Sequence, residues 1–594
     1  MIMQKRNDIQ ILRALAVIFV VLFHLEVAGI ESGFLGVDVF FVVSGFLMAI
    51  LYKTGETKKF FERRAKRLLP AYFTTVAITL IASIFIVLPS ELGQVATQSI
   101  YSIFFANNFG FWMQNSYFSK TDFNPLLHLW SLGVEIQFYL IVPLLVWFFR
   151  KSKIFLPLVL IGSFVSCVFI VGISPKTSFF MMPLRIWEFL IGFVIAYYLT
   201  NEGNIKTQNY QWLGLIGLIV LCAIPFIRVD GQSLNRLEAH PSFYALLVCF
   251  ATSLVLSCGL PKVLQESSFG NFLAKIGDYS YSIYLVHFPI IVLYLYEPFS
   301  GTILYPENHV DKAILLGLII VISVLMHRYV ETRRINSASK VYATSLVSIL
   351  LLVGATKIAP SRMYNQNDQN IFAGLNDRAV YRCGKIVRIT NPTAISCKIN
   401  EESFDRSVLL VGNSHADSIK QAFAEVASTH KMNTYFMVSN TPLMDSSVTP
   451  KTMINEAIKL DIRHIVLHYK SKSLKVDILE EVLHLAEEKG IKVDLILPVP
   501  EYEDSIPKLL YLNQFKSISK QKYLSENTEY FAKINVLKNQ YQIFTAYDVH
   551  NVLCQSDCAI KSSDNKPYYF DSHHLTLTGA QQLKPVFERI FLIR

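Results

Sequence analysis

Long apolar runs recur through the first 360 residues of the chain. Stretches of spanning or near-spanning length fall near residues 9–29, 34–53, 70–88, 131–149, 154–172, 183–199, 211–227, 242–258, 281–297, 312–330 and 341–358. A helix of about twenty apolar residues crosses the hydrocarbon core of a bilayer. The pattern predicts an α-helical polytopic membrane domain of about ten spans, with a linking span over residues 336–360. After Pro360 the composition turns polar. Residues 361–400 read as a linker with a small cysteine-closed segment. Ser407 to Val411 then reads as a buried strand that runs into Gly412-Asn413-Ser414-His415, followed by a helical pattern from Asp417 to Val426. Further strands are predicted at His464–His468 and Val493–Val499, with a helix over 476–489 between them. Alternating strand and helix over residues 401–594 predicts a three-layer α/β domain on a parallel sheet.

Composition agrees with this division. Of 594 residues, 52% are hydrophobic and only 17% charged, against about a quarter charged in ordinary soluble domains. That excludes a purely soluble globular protein and a disordered one. The net charge of +10 reflects basic loops more than nucleic-acid binding, because no zinc-finger spacing and no RNA-binding aromatic motif occurs. No nucleic-acid partner is expected.

The basic residues are unevenly distributed. Lys5, Arg6, the segment Lys53 to Arg67, Arg150, Lys151 and Lys153, and later Arg328, Arg333, Arg334 and Lys340 fall on one side of the predicted topology. The opposite loops hold only Lys120, Lys176, Arg228, Arg236 and Lys312. The positive-inside rule places the N-terminus in the cytoplasm, and an odd number of spans then places the polar C-terminal part on the other side. The first apolar run carries Arg13 and His24 and lacks a small-residue cleavage site, so it reads as a span rather than a cleavable signal. Cysteines agree with this topology. Cys167, Cys222, Cys249 and Cys258 lie in apolar runs, whereas Cys383, Cys397, Cys554 and Cys558 lie in the polar part. The latter four are compatible with disulfides 383–397 and 554–558, which need an oxidising compartment. No CxxC pair marks a metal or redox site, and no metal is expected.

Ionisable groups in apolar helices are costly to bury and so are informative. Arg13 and His24 are eleven residues apart, which returns them to one helix face about 16 Å apart along the axis. They read either as a functional pair or as a snorkelling arginine plus a hydrogen-bonded core histidine. Arg64 and Arg67 share a face if Phe61–Leu69 is helical. Paired guanidinium groups suit phosphate oxygens, although a positive-inside loop or a lipid-headgroup anchor has the same composition. Glu135, Glu188, His287 and Glu331 are each open to a functional or a structural reading.

These residues carry a family resemblance. Arg13 and His24 match the R-x10-H of the acyltransferase 3 family, and Gly36-Val37-Asp38-Val39-Phe40-Phe41-Val42-Val43-Ser44-Gly45-Phe46-Leu47 resembles its second-helix signature. Phe61 to Tyr72 resembles its RRxxRLLPAY loop. Leu127 to Tyr139 is similar to its HLWSLxVEEQFY segment, with Ile136 replacing the second Glu. Ser280 to His287 resembles SYSxYLxH, and Val330-Glu331 the closing Glu. The resemblance implies an acyltransferase membrane domain over residues 1–335, with acetyl-CoA as cytoplasmic acyl donor. It makes His24 the expected catalytic residue and Arg13, Arg64 and Arg67 the donor-handling groups. Coenzyme A carries several phosphate charges, so basic residues would hold it at the membrane face while His24 acts deeper as base or transient acyl carrier.

In the polar half, Ser414 sits at a predicted strand-to-helix turn, a good nucleophile position that needs a base. Asp571 and His574, in Phe570-Asp571-Ser572-His573-His574-Leu575, are three apart, so one turn can bring carboxylate and imidazole together. The pairing resembles the SGNH hydrolase superfamily, and the GxSH start is similar to the SGNH domain fused to acyltransferase 3 proteins. This implies Ser414 as nucleophile, His574 as base and Asp571 as orienter, with His573 the rival base. Asn413 replaces the Asp of the first SGNH block, and Asn440 is a candidate oxyanion donor beside the Ser414 N–H.

The expected function is an integral inner-membrane O-acetyltransferase, moving acetyl from acetyl-CoA to hydroxyls of a bacterial surface glycan. Lipopolysaccharide O-antigen or lipooligosaccharide is the first expectation and peptidoglycan the alternative. Membrane lipid and the glycan acceptor are the expected partners. A transporter or glycan-binding protein with a degenerate outer domain, and a deacetylating esterase, are the competing classes.

Overall fold

The computed structural model describes residues 6–114, 122–152, 154–201, 210–231, 233–384, 387, 391, 394–439, 442–444 and 448–592. They divide into two compact units, Met1–Ala359 and Pro360–Arg594.

The first unit is helical. Among the described residues, seven helices are long and apolar enough to cross a membrane: Asn7–His24, Gly33–Leu51, Thr57–Ile86, Leu129–Lys151, Ser268–Tyr294, His309–Glu331 and Ala338–Met363. Three further apolar helices, Phe155–Val171, Gln211–Phe226 and Phe243–Cys258, are shorter than the spans expected there. The remaining expected span is the helix Met182–Asn201, which buries Arg185 and Glu188. Side chains such as Leu140, Leu158, Ile161, Phe169 and Leu351 stay exposed on the outside of these helices. An apolar exterior over a core that holds polar groups is the arrangement a lipid solvent favours. This is a multi-pass membrane unit.

Small residues let the helices approach closely. A Cβ on Gly45 would lie 1.9 Å from the carbonyl oxygen of Phe189, and one on Gly192 would lie 1.9 Å from that of Val42. The second helix and Met182–Asn201 therefore touch backbone to backbone. The third helix begins at Thr57, well before the apolar run near residue 70, and continues through Pro70. Its basic first turns are thus helical, and Arg64 and Arg67 share a face.

Among the described residues, the second unit carries a six-stranded sheet of order β1-β3-β2-β4-β5-β6. The strands are β1 (Ser396–Lys398), β2 (Arg406–Gly412), β3 (Met432–Met437), β4 (His464–His468), β5 (Lys492–Ile496) and β6 (Phe544–Tyr547). Strands β2 to β6 are parallel, as expected, but β1 runs antiparallel to β3, so the sheet is mixed. The apolar run of β2 is buried on both faces. Val408 and Leu410 join one core with Phe423 and Phe587, while Leu409 and Val411 join the other with Leu467 and Leu495. Helices cover both faces, which is why the strand reads as a continuous apolar run rather than an alternating one.

Residues 361–400 are not a linker. They supply β1, the helix Gln366–Ala373, and Asp377, whose backbone oxygen and carboxylate accept from the amides of Leu577 (2.9 Å) and Thr578 (3.0 Å). Their polar composition disguises this, because the segment docks through backbone hydrogen bonds, a three-residue edge strand and only a few apolar side chains, with Ile371 and Phe372 buried and Phe372 packed on Tyr511 at 5.1 Å between ring centroids. The disulfides Cys383–Cys397 and Cys554–Cys558 are both formed in this unit.

Candidate active site

In the second unit, chain order β2, β3, β4 places β3 on one side of β2 and β4 on the other. The crevice at the C-terminal end of β2 is therefore a topological switch point, where α/β sheets hold their ligands. Gly412 is required there, since a Cβ would meet the His468 carbonyl oxygen at 1.9 Å. Asn413 caps the next helix, Ser414–Thr429, its Oδ1 accepting from the His415 amide at 3.0 Å. An aspartate would cap the same way, so Asn413 preserves the turn. Ser414 is the first residue of that helix.

The loop Phe570–His574 brings the partners in. The Phe570 amide donates to the His574 carbonyl at 3.0 Å, and the Tyr502 and Ile506 amides donate to the carbonyls of Ser572 and Asp571. Asp571 Oδ1 accepts from the amides of His573 (2.9 Å) and His574 (2.7 Å), while Oδ2 lies 2.6 Å from His574 Nδ1. His574 Nε2 lies 2.6 Å from Ser414 Oγ. A carboxylate only accepts, so Nδ1 carries the proton and Nε2 presents its lone pair to the serine hydroxyl. Phe570 stacks on the His574 ring with 3° between the planes. Burial by itself would raise the Asp571 carboxyl, but the His574 bond and the two amides outweigh it and hold its pKa at about 2. His573 takes a different partner. Its Nδ1 bonds Ser572 Oγ at 2.8 Å, and burial together with His574 pushes its pKa to about 4. Asn440 lies outside the described residues.

In the first unit, Arg13, Arg64, Arg67 and Glu135 line one open pocket, together with Ser44, Ser131, Tyr139, Tyr281 and Tyr284. Glu135 Oε1 accepts from the hydroxyls of Ser44 and Tyr139. His24 does not line this pocket. It belongs to a buried cluster with His128 and His287, whose ring centroids lie 5.2 Å (His24–His287) and 5.6 Å (His128–His287) apart. Tyr284 joins the two regions. It lines the pocket, its hydroxyl lies 2.6 Å from Ser131 Oγ, and its carbonyl lies 2.7 Å from His287 Nδ1. That carbonyl requires a proton on His287 Nδ1, which leaves His287 Nε2 as acceptor for His24 Nδ1–H at 3.2 Å. The lone pair of neutral His24 is then on Nε2.

Glu331 does not line that pocket, although its charge acts on Arg13; it accepts from Ser282 Oγ at 2.6 Å and pairs with His327 Nδ1 at 2.9 Å. Glu188 contacts Arg185 at 2.9 Å without hydrogen-bond alignment, and Arg185 donates to Asp38 at 2.8 Å, with His240 on the other Asp38 oxygen at 3.1 Å. All four are buried, and they form an internal charge network. His128, Ser44 and the Asp38–Arg185–His240 contacts escaped the sequence reading. His128 and Asp38 stand inside quoted motifs, but which helix supplies a partner is not encoded by spacing along one helix.

A family model described as "Acyltransferase domain" matches residues 6–328, more than half of the chain. The chain belongs to that family. A second, "SGNH domain (fused to AT3 domains)", matches residues 382–589. The fold is thus an acyltransferase 3 domain joined to an SGNH domain. The chain is 33% identical over 309 residues to "O-acetyltransferase OatA" of Staphylococcus aureus, covering 47% of this chain and 50% of the relative. It is 30% identical over 353 residues to "Peptidoglycan O-acetyltransferase OatA" of Listeria monocytogenes, covering 54% of each. To "Putative membrane-bound transacylase BcsY" of Komagataeibacter xylinus it is 29% identical over 339 residues, covering 55% of this chain and 82% of the relative. The chain spans about half the length of the OatA relatives it matches. None of these names refers to O-antigen or lipopolysaccharide.

Proposed function

We propose that this protein is a multi-pass membrane O-acetyltransferase that acetylates hydroxyls of a cell-envelope glycan, with peptidoglycan the first acceptor to test. The observation that carries the reading is the Ser414–His574–Asp571 relay, with both hydrogen bonds at 2.6 Å. In the first half-reaction Ser414 Oγ bonds the acetyl carbonyl carbon and passes its proton to His574 Nε2, which returns it to the leaving group. In the second, a sugar hydroxyl gives its proton to His574, takes the acetyl group, and Ser414 Oγ is reprotonated. Asp571 holds the imidazole and offsets its transient positive charge.

Acetyl-CoA is the proposed donor. Three arginines in one pocket suit its phosphates. His24, with its lone pair on Nε2, is proposed as base or transient acyl carrier. The bias of basic loops and the two disulfides support a cytoplasmic N-terminus and an extracytoplasmic SGNH domain in a bacterial inner membrane. Peptidoglycan moves ahead of lipopolysaccharide because the Listeria relative is named as a peptidoglycan O-acetyltransferase.

The test is mass spectrometry of muropeptides, and separately of lipopolysaccharide or other surface polysaccharide, from cells with the intact gene, Ser414→Ala or His24→Ala. Loss of O-acetyl from muropeptides in both variants is the expected result. Full O-acetylation of every glycan fraction in both variants would overturn the mechanism; loss confined to another polysaccharide would move the acceptor.

A further inference from the structure

The relay histidine has two histidine neighbours that the relay does not use. His415, the first residue after the nucleophile, is buried, and its Nε2 has no hydrogen-bond partner among the described residues. An unpaired buried ring nitrogen carries a desolvation cost that a hydrogen bond would normally offset. His415 packs on His573 at 5.3 Å between ring centroids, with planes 24° apart, and on His574 at 4.8 Å. His573 and His574 are 4.1 Å apart. One ring nitrogen from each of the three lies within 4.8 Å of the others.

The outer nitrogens of two of these rings are already engaged. His574 Nδ1 is held by Asp571 at 2.6 Å, and His573 Nδ1 by Ser572 Oγ at 2.8 Å. Each ring is thus anchored through one nitrogen while Nε2 points the other way. Carboxylate or hydroxyl behind an imidazole is the outer-shell pattern that orients metal-ligating histidines. The His573 and His574 side chains are 24% and 15% exposed, which leaves an entry path from solvent.

We propose that His415, His573 and His574 bind a divalent transition-metal ion, zinc foremost, and that the ion silences the serine relay by occupying His574 Nε2. Three imidazoles are a ligand set for zinc, copper or nickel rather than for magnesium or calcium. Tetrahedral zinc with bonds of about 2.1 Å needs nitrogens about 3.4 Å apart, so the rings draw together by roughly 1 Å on binding. The His574 Nε2 lone pair cannot serve the metal and the Ser414 hydroxyl together. Metal binding and the relay are therefore mutually exclusive states of one imidazole. Sequence spacing hides this site because His415 lies far along the chain from the other two.

The experiment uses the full chain in detergent, stripped with chelator and then titrated with Zn²⁺ by calorimetry and with Co²⁺ by visible absorption. One equivalent is expected to bind, and bound cobalt should show the intense d–d bands of four-coordination. His573→Ala and His574→Ala should each weaken binding at least tenfold. Ser414→Ala should bind zinc as tightly as wild type or tighter, because its hydroxyl no longer competes for Nε2. Hydrolysis of a chromogenic acetyl ester by the wild type, scaled to its own metal-free rate, should fall in step with occupancy. Cobalt spectra and affinities unchanged in His573→Ala and His574→Ala would overturn the proposal, as would zinc saturation without loss of ester hydrolysis. Binding is read without turnover, so an inactive relay would not mask the metal result.

Discussion

Asp571→Asn isolates the electronic part of the relay from its shape. The asparagine keeps the size of the side chain. Its carbonyl oxygen takes the place of Oδ1, which accepts from the amides of His573 and His574 at 2.9 and 2.7 Å. The flipped amide would aim its NH2 at both of those N–H groups, so it is disfavoured. The NH2 then faces His574 Nδ1, where Oδ2 stood at 2.6 Å, and it can only donate. His574 must accept on Nδ1 and carry its proton on Nε2, the tautomer that cannot take the proton of Ser414. The same exchange in serine hydrolases lowers turnover about 10⁴-fold. That is roughly 5.5 kcal/mol of barrier.

Stability changes far less. Lowering the carboxyl from 3.8 to about 2 corresponds to ~2 kcal/mol. The side chain is 37% exposed, so solvent screening reduces this to about 1 kcal/mol. The variant therefore stays folded, and its lost activity is chemical. The assay is the rate of acetyl-Ser414 formation with a chromogenic acetyl ester, followed by intact-mass spectrometry, alongside a thermal melt. Asp571→Asn should fall to within a few-fold of Asp571→Ala despite its near-identical shape. A folded Asp571→Asn variant that keeps more than about a tenth of the wild-type rate would refute the tautomer argument.

The remaining predictions concern pH, the arginine pocket and helix packing. The Asp571 pKa is depressed on folding, so its stabilisation is complete above about pH 4 and disappears as pH falls towards 2; the gap in denaturant midpoint between wild type and Asp571→Asn should close over that window, and a gap that widens there would contradict the sign. Arg64→Ala and Arg67→Ala should each raise the KM for acetyl-CoA about tenfold, at ~1.5 kcal/mol per lost charge-assisted contact. Lysine should recover only part of this, since it cannot bind a phosphate through a planar fork, and an unchanged KM in both alanine variants would remove the donor from this pocket. Gly45→Ala places a Cβ 1.9 Å from the Phe189 carbonyl oxygen and must push two helices apart, at about 1–3 kcal/mol. Its thermal midpoint in detergent should drop clearly, whereas Gly162→Ala, whose Cβ would meet open space, should not change it.

The sequence by itself determined where the chain is apolar, and hence the helices of the membrane unit, because twenty-residue runs admit little other than spanning helices. It also determined the strand–turn–helix around Ser414 and the local Asp571–His574 turn, since each is fixed by residues within a few positions of one another. The extension of the third helix back to Thr57 was less legible. Apolarity marks contact with lipid or core, whereas a helix continues as far as its backbone bonds allow. Residues 361–400 looked like a linker because their buried apolar side chains, Ile371, Phe372 and Cys397, are few and scattered among polar ones.

Only the tertiary structure decided which residues meet. It brought His574, which the DxxH spacing already favoured over His573, to 2.6 Å from Ser414 across 160 residues of chain. It gathered Arg13, Arg64, Arg67 and Glu135 around one pocket and placed His24 beside His287 and His128 rather than in it. It left the buried His415 Nε2 without a partner among the same side chains. The physical reason is common to all of these. Local elements follow from torsional preference and hydrophobic period within one segment. Hydrogen-bond partners, tautomers and burial depend on how segments distant in the chain pack together.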